Sequence, residues 1–195
     1  MKLNKNSVLS VIAVVGVGIL TLFWLKSGGN AGDFSLAKIS GGNAPSVPGT
    51  APTDDPKQVF KNLSELPGFH RADLKGSYVL VHFWAKWCEP CAEEIPQLVE
   101  FAKNPGFPAK LKIVAVSLDP NLDESKTILP EQGKNLPASF LLFLDSEHKV
   151  AEKMGSYQYP ETYFVDPTGA VLEKWIGPQK WTKPEVLDFF VKRIQ

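Results

Sequence analysis

The apolar positions fall into two kinds of run. Val8–Leu25 (VLSVIAVVGVGILTLFWL) carries no charged side chain, and it lacks the polar stripe of a surface helix. At about 1.5 Å per residue, roughly 18 residues reach about 27 Å, close to the hydrocarbon thickness of a bilayer. Lys2 and Lys5 precede the run without an acid, and Trp24 stands at its far end. This pattern predicts a transmembrane anchor over residues 1–25, with the N-terminus in the cytoplasm and the rest of the chain exported. A cleaved signal peptide is the competing reading. Its apolar region is ordinarily shorter and runs directly into a small-residue cleavage site. Here Leu25-Lys26-Ser27-Gly28 is a poor match, and Asn30-Ala31-Gly32 is the site to try. No cysteine follows directly, which excludes a lipoprotein anchor.

The other runs are short and punctuated. Residues 26–56 are rich in Gly, Ser, Asn, Pro and Thr and predict a flexible linker, with a weak strand signal at Phe34, Leu36 and Ile39. Residues 57–195 carry the folded domain. Gln58–Leu66 reads as a short helix or turn and Gly68–Gly76 as a loop. Tyr78–Trp84 is apolar apart from His82, as expected of a strand buried on both faces. Cys91–Lys103 reads as a helix facing inward through Ile95, Leu98, Val99 and Ala102, and Asn104-Pro105-Gly106 ends it. Lys112–Leu118 is a second buried strand. Asp123–Gln132 reads as helical and broken near Pro130, Phe140–Leu144 as a strand, and His148–Met154 as a short helix stopped by Gly155. Thr162–Asp166 and Ala170–Ile176 form a hairpin about the turn Asp166-Pro167-Thr168-Gly169. Thr182 and Glu185 have capping-box spacing ahead of a last helix that turns Val186, Leu187, Phe190, Val191 and Ile194 inward. The order predicts a three-layer α/β domain, with helices flanking a sheet of parallel and antiparallel strands.

Composition narrows the functions. The chain has 195 residues, with 21 basic and 21 acidic side chains. No basic stripe is present, which argues against nucleic acid as a partner. There are only two cysteines, Cys88 and Cys91, within Trp87-Cys88-Glu89-Pro90-Cys91. A pair at C-x-x-C spacing reads as redox or metal chemistry. Zinc needs about four ligands, and His70, His82 and His148 are scattered, so no metal site or cofactor is expected. A purely structural disulfide would close too short a loop to stabilise much. With Cys88 at a helix N-terminus, unpaired N–H groups and the helix dipole favour its thiolate. Cys88 is then the attacking thiol and Cys91, one turn further in and more buried, the resolving thiol. Pro90 suits a first helical turn. Glu89 opposes thiolate formation by its charge while the helix end favours its carboxylate.

The stretch Phe83-Trp84-Ala85-Lys86-Trp87-Cys88-Glu89-Pro90-Cys91, followed by Glu94-Ile95-Pro96, resembles the active site of the thioredoxin superfamily. Its form is similar to the membrane-anchored TlpA/ResA-like thiol-disulfide oxidoreductases. Pro96 matches the proline inside the family's active-site helix, Pro160 its cis-proline, and Asp166-Pro167-Thr168-Gly169 the turn of its final hairpin. The resemblance implies a thioredoxin-like fold and a substrate groove bordered by Tyr159 and Pro160. Trp84 and Trp87 are expected to shield the site or to fill core. His82 stands at the position of the superfamily's buried acid, either as a proton relay to Cys91 or as a hydrogen-bonded core residue. Tyr159 and Glu161 depart from the small or β-branched residues usual beside that proline, and the segment before Leu74 is shorter than the family's N-terminal hairpin. The resemblance further implies a single-pass protein of the bacterial inner (cytoplasmic) membrane whose domain faces the periplasm or cell exterior. Its implied substrates are protein disulfides, apocytochrome c among them, and its implied electron donor is a membrane thiol relay of the CcdA or DsbD kind. The alternative of another class is a non-enzymatic copper chaperone or assembly factor on the same fold, against which the close cysteine spacing argues.

Overall fold

The computed structural model describes residues 58–194. The anchor and linker expected over residues 1–25 and 26–56 lie outside the described residues. Among the described residues no helix is long and apolar enough to cross a membrane.

The chain runs α1 (Gln58–Leu63), a 3₁₀ turn (Arg71–Leu74), β1 (Tyr78–Trp84), α2 (Glu89–Lys103), β2 (Leu111–Ser117), α3 (Leu122–Lys126), a second 3₁₀ turn (Pro130–Gly133), β3 (Phe140–Leu144), α4 (Lys149–Lys153), β4 (Glu161–Val165), β5 (Val171–Ile176) and α5 (Pro184–Arg193). The five strands lie in the order β3-β2-β1-β4-β5. The β1–β2 and β2–β3 pairs are parallel, and the β1–β4 and β4–β5 pairs antiparallel. The expected mixed sheet is present.

Central β1 is buried on both faces because its alternating residues enter two different layers. Phe83 meets Tyr163 edge-on, and the Tyr163 hydroxyl donates to the Met154 carbonyl (2.8 Å) beside α4. His82 faces the other way, edge-on to Trp181, which also packs against Phe101 of α2 and Phe190 of α5. The active-site helix and the last helix therefore share one face of the sheet, and α4 covers the other. Each fully buried aliphatic or aromatic side chain contributes roughly 1.5–3 kcal/mol by leaving water, so β1 is a strongly held platform at the centre of the domain.

Local chemistry sets the element ends. Asp166 Oδ1 accepts from the backbone N–H groups of Thr168, Gly169 and Ala170 (2.8–3.0 Å), which closes the β4–β5 turn. Asp145 Oδ2 accepts from the Val150 and Ala151 N–H groups (2.9 Å each) and so caps α4, while His148 before it is left-handed. At the far end of α4, Ser156 N–H bonds the Ala151 carbonyl and Gly155 N–H the Glu152 carbonyl. This is a Schellman closure, which Gly155 permits at φ 69°.

Several expectations are corrected. α2 begins at Glu89, two residues before Cys91, because Glu89 and Pro90 both fit a first helical turn. The helix expected over Asp123–Gln132 stops at Lys126, and Glu131 and Gln132 are left-handed. α5 has Lys183 as its N-cap with no side-chain cap bond, so the Thr182–Glu185 box does not form. Val191 is exposed, while Phe189 packs against Phe164 and Trp175. The inward face of α5 thus runs through Val186, Leu187, Phe189 and Phe190 and continues to Ile194 just past its end, and Val191 lies off it.

Candidate functional site

The site lies at the carboxyl end of β1. The loop Ala85–Trp87 leaves the strand there and hands the chain to α2. It is pinned from beneath by Asp119, a buried residue just past β2, whose two carboxylate oxygens accept from the Lys86 N–H (3.0 and 3.1 Å). Ser117 Oγ donates to the same carboxylate (3.0 Å), and Leu118 N–H bonds the Trp84 carbonyl (2.9 Å). The backbone ahead of Cys88 is therefore fixed by the neighbouring strand. Sequence reasoning missed Asp119, because an acid after a buried strand reads as an ordinary loop residue.

Cys88 is the N-cap of α2 and is joined to Cys91 by a disulfide, with the two Cα atoms 5.2 Å apart. Cys88 keeps 8% exposure and Cys91 none. A partner disulfide can therefore reach only Cys88, whose sulfur stands where the unpaired N–H groups of a helix start favour an anion. Pro90 occupies the first turn, and Glu89 and Pro90 are both exposed.

The second wall comes from the chain ahead of β4. The register Phe83↔Glu161 carries the preceding residue, Pro160, level with the end of β1. The Tyr159–Pro160 peptide is cis, Pro160 is buried, and Gly177 N–H bonds the Pro160 carbonyl (2.8 Å). The Tyr159 ring stands edge-on to Trp87, centroids 6.0 Å apart. Burial, followed by the charge of Glu161, pushes the Tyr159 phenol up to about 12, so it stays neutral and donates to the Ser156 carbonyl (3.2 Å). Trp87 is 58% exposed and Tyr157 63%. Trp87, adjacent to Cys88 in the chain, is thus an exposed aromatic beside a reactive sulfur and forms an apolar surface that a partner can cover. Trp84 is not part of it: two residues on from His82 along β1, it is fully buried in the core.

Beneath the cysteines lie two buried titratable groups. His82 is fully buried; its Nδ1 and Thr162 Oγ1 are 2.9 Å apart and its Nε2 has no partner. Burial lowers its pKa to about 3, so the imidazole is neutral at ordinary pH and a poor acceptor of a thiol proton. Glu94 is the group that titrates. It sits three residues after Cys91, hence on the same helix face, with 1% exposure. Its Oε1 accepts from the Gln179 N–H (3.1 Å) and from Trp181 Nε1, while its Oε2 has no partner. Burial pushes its carboxyl up to about 7, although the Gln179 and Trp181 hydrogen bonds pull the other way. The sequence did hold a signal for Glu94: it lies on the inward stripe between Cys91 and Leu98, where a carboxylate is out of place.

Among the described residues no cluster of three or more His, Cys, Asp or Glu side chains could hold a metal ion. The chemistry available is that of the disulfide, a helix N-terminus and a carboxyl group poised near neutrality.

A sheet in this order, with a C-x-x-C pair at the start of a helix and a cis-proline facing it, defines a thioredoxin-like redox domain. Residues 62–174 match the AhpC/TSA family, and the chain belongs to that family. It is 34% identical over 124 residues to the thiol:disulfide interchange protein CycY of Rhizobium leguminosarum, covering 64% of this chain and 63% of that protein. It is 33% identical over 107 residues to the thiol-disulfide oxidoreductase ResA of Bacillus subtilis, covering 54% of this chain and 56% of that one. The chain thus spans under two thirds of the length of these relatives. Among solved structures, a putative thiol:disulfide interchange protein DsbE from Chlorobium tepidum matches with a TM-score of 0.54 at 26% identity, covering 67% of this chain and 92% of that chain.

Proposed function

We propose that the protein is a thiol-disulfide oxidoreductase that reduces protein disulfides through Cys88 and Cys91. One observation carries the reading: a cysteine pair bonded as a disulfide at the N-terminus of α2, with only Cys88 open to a partner. In the dithiol form the Cys88 thiolate attacks one sulfur of a substrate disulfide. That S–S bond breaks, its other sulfur leaves as a thiolate, and a mixed disulfide forms. Cys91 then loses its proton and attacks Cys88 Sγ, so the second substrate sulfur leaves and Cys88–Cys91 is oxidised. Two electrons have passed to the substrate, and a donor dithiol returns them by the same exchange in reverse. Glu94, one helical turn from Cys91, is the acid–base group for the Cys91 proton.

The names of CycY, ResA and DsbE-like relatives support exchange chemistry. Apocytochrome c cysteines as substrate, a membrane relay of the CcdA or DsbD kind as donor, and an N-terminal anchor holding the domain on the outer side of the bacterial inner membrane complete the proposal. The apolar run Val8–Leu25 with Lys2 and Lys5 ahead of it is what supports the anchor.

Two measurements test this. The Cys91→Ser variant, which can attack but cannot resolve, is expected to accumulate a mixed disulfide between Cys88 and a protein substrate, seen as a mass adduct that dithiothreitol removes. Absence of any adduct with a reducible substrate rejects the mechanism. A reporter enzyme fused after Gln195 is expected to be active on the exported side, and activity confined to the cytoplasm rejects the topology.

A further inference from the structure

Glu161 follows the cis-proline directly and is buried, with 1% exposure. Its carboxylate does not face the thiol layer. In β4 it lies two residues from Tyr163, hence on the α4 face of the sheet, opposite to that of His82 and Glu94. There it meets Lys174 of β5, Nζ to Oε1 at 2.5 Å, with the lysine side chain only 26% exposed. Its other oxygen accepts from Ser156 Oγ. Lys174 also donates to the Gly155 carbonyl (3.3 Å) and lies over the Tyr163 ring (4.8 Å to the centroid). The Tyr163 hydroxyl bonds the Met154 carbonyl. These contacts converge on one segment, Met154–Ser156, the root of the loop that leads to the cis-proline and sets Tyr159 against Trp87. A buried carboxylate is costly unless it is paired and hydrogen-bonded. Here the pairing is spent on tying that root to the β4–β5 hairpin.

We propose that Glu161 and Lys174 are positioning residues: their ion pair, with Ser156, sets the Gly155–Pro160 wall against Trp87 and thereby determines how tightly a protein disulfide docks over Cys88. This rests on the oxidoreductase reading above and adds to it a specificity device remote from the reacting sulfurs. A side chain that acts through the wall alters the docking of an extended polypeptide. It leaves unaltered the exchange with a small disulfide that needs only access to Cys88.

The experiment uses the full-length chain with dithiothreitol as donor and two substrates, insulin and hydroxyethyl disulfide. Glu161→Gln and Lys174→Met are each expected to raise KM for insulin about tenfold, with kcat changed by less than about twofold. Hydroxyethyl disulfide turnover and the reduction potential of Cys88–Cys91 should stay at wild-type values. Lys174→Arg, which keeps the cation, should stay near the wild-type KM. The Glu161→Gln/Lys174→Met double variant, which leaves neither charge buried alone, should be no worse than either single variant. That result identifies the pair as one unit, and it serves where a single variant does not fold. An unchanged insulin KM in the double variant overturns the proposal. So does equal loss on both substrates or a shifted potential, since the pair would then act on the thiols or on the whole fold. Failure of the wild-type chain to reduce either disulfide overturns the oxidoreductase reading itself and the proposal with it.

Discussion

Replacing Cys88 by serine is expected to lower insulin reduction on the order of 10³-fold, to the rate of dithiothreitol alone. A serine hydroxyl is not a thiolate at neutral pH and does not attack sulfur. The chain offers no substitute, since Cys91 is the only other cysteine among its 195 residues. Cys91 is fully buried beneath the α2 N-terminus, so it has neither the access nor the helix-end setting that makes Cys88 the reactive partner. The fold itself should survive, because Cys88 contributes little to the core beyond its disulfide, and that bond closes a loop too short to limit the unfolded chain much. The measurement is insulin turnover beside thermal unfolding of the same preparation. Turnover above a few per cent of wild type in a folded Cys88→Ser protein would rule out Cys88 as the nucleophile.

Much of this architecture was legible because it is written in uninterrupted apolar runs. Tyr78–Trp84 and Phe140–Leu144 are the strands expected, residue for residue. Each is a continuous apolar stretch, His82 apart, buried along nearly all of β1 and half-buried along β3. The segment between β2 and β3 was less legible, since its polar residues satisfy several backbone states equally. The left-handed Glu131 and Gln132 follow from no propensity of those residues. The cap of α5 failed for a related reason: Thr182 and Glu185 have the spacing, but Pro184 in the first turn leaves Lys183 as the cap.

The site divides along the same line. The two cysteines, Pro160 and the exposed Trp87 could be located by motif and spacing. Their supports could not, because Asp119 just past β2, Glu161 of β4 and Lys174 of β5 are brought to their partners only by the folded sheet. His82 lies on the face of the sheet that Trp181 covers, where burial leaves it neutral. The group able to change charge near pH 7 is Glu94, whose place on the inward stripe of α2 is visible in the sequence but whose raised carboxyl follows only from its burial in the folded domain.

Glu94 makes its own burial measurable. Its carboxyl rises from 4.5 to about 7 on folding. Between those values the native state holds a proton that the unfolded chain has lost, so stability falls as pH rises through that window and is flat on either side. The full difference corresponds to about 3 kcal/mol. Glu94→Gln keeps an acceptor oxygen for Gln179 N–H and Trp181 Nε1 and carries no charge at any pH. The variant is therefore expected to match wild type near pH 4.5 and to exceed it by about 3 kcal/mol at pH 8. Urea unfolding at a series of pH values, followed by tryptophan fluorescence, reads this directly. A difference that does not change with pH would mean that Glu94 is not the group that titrates. The same variant should resolve its mixed disulfide more slowly and lose the limb near pH 7 from its pH–rate profile, because the Cys91 proton then has no carboxylate beside it. A gain in stability coupled to a loss in turnover is what separates a carboxyl kept for chemistry from one that merely fills the core, since a purely structural Glu94 would raise stability and leave the profile of Cys91 untouched.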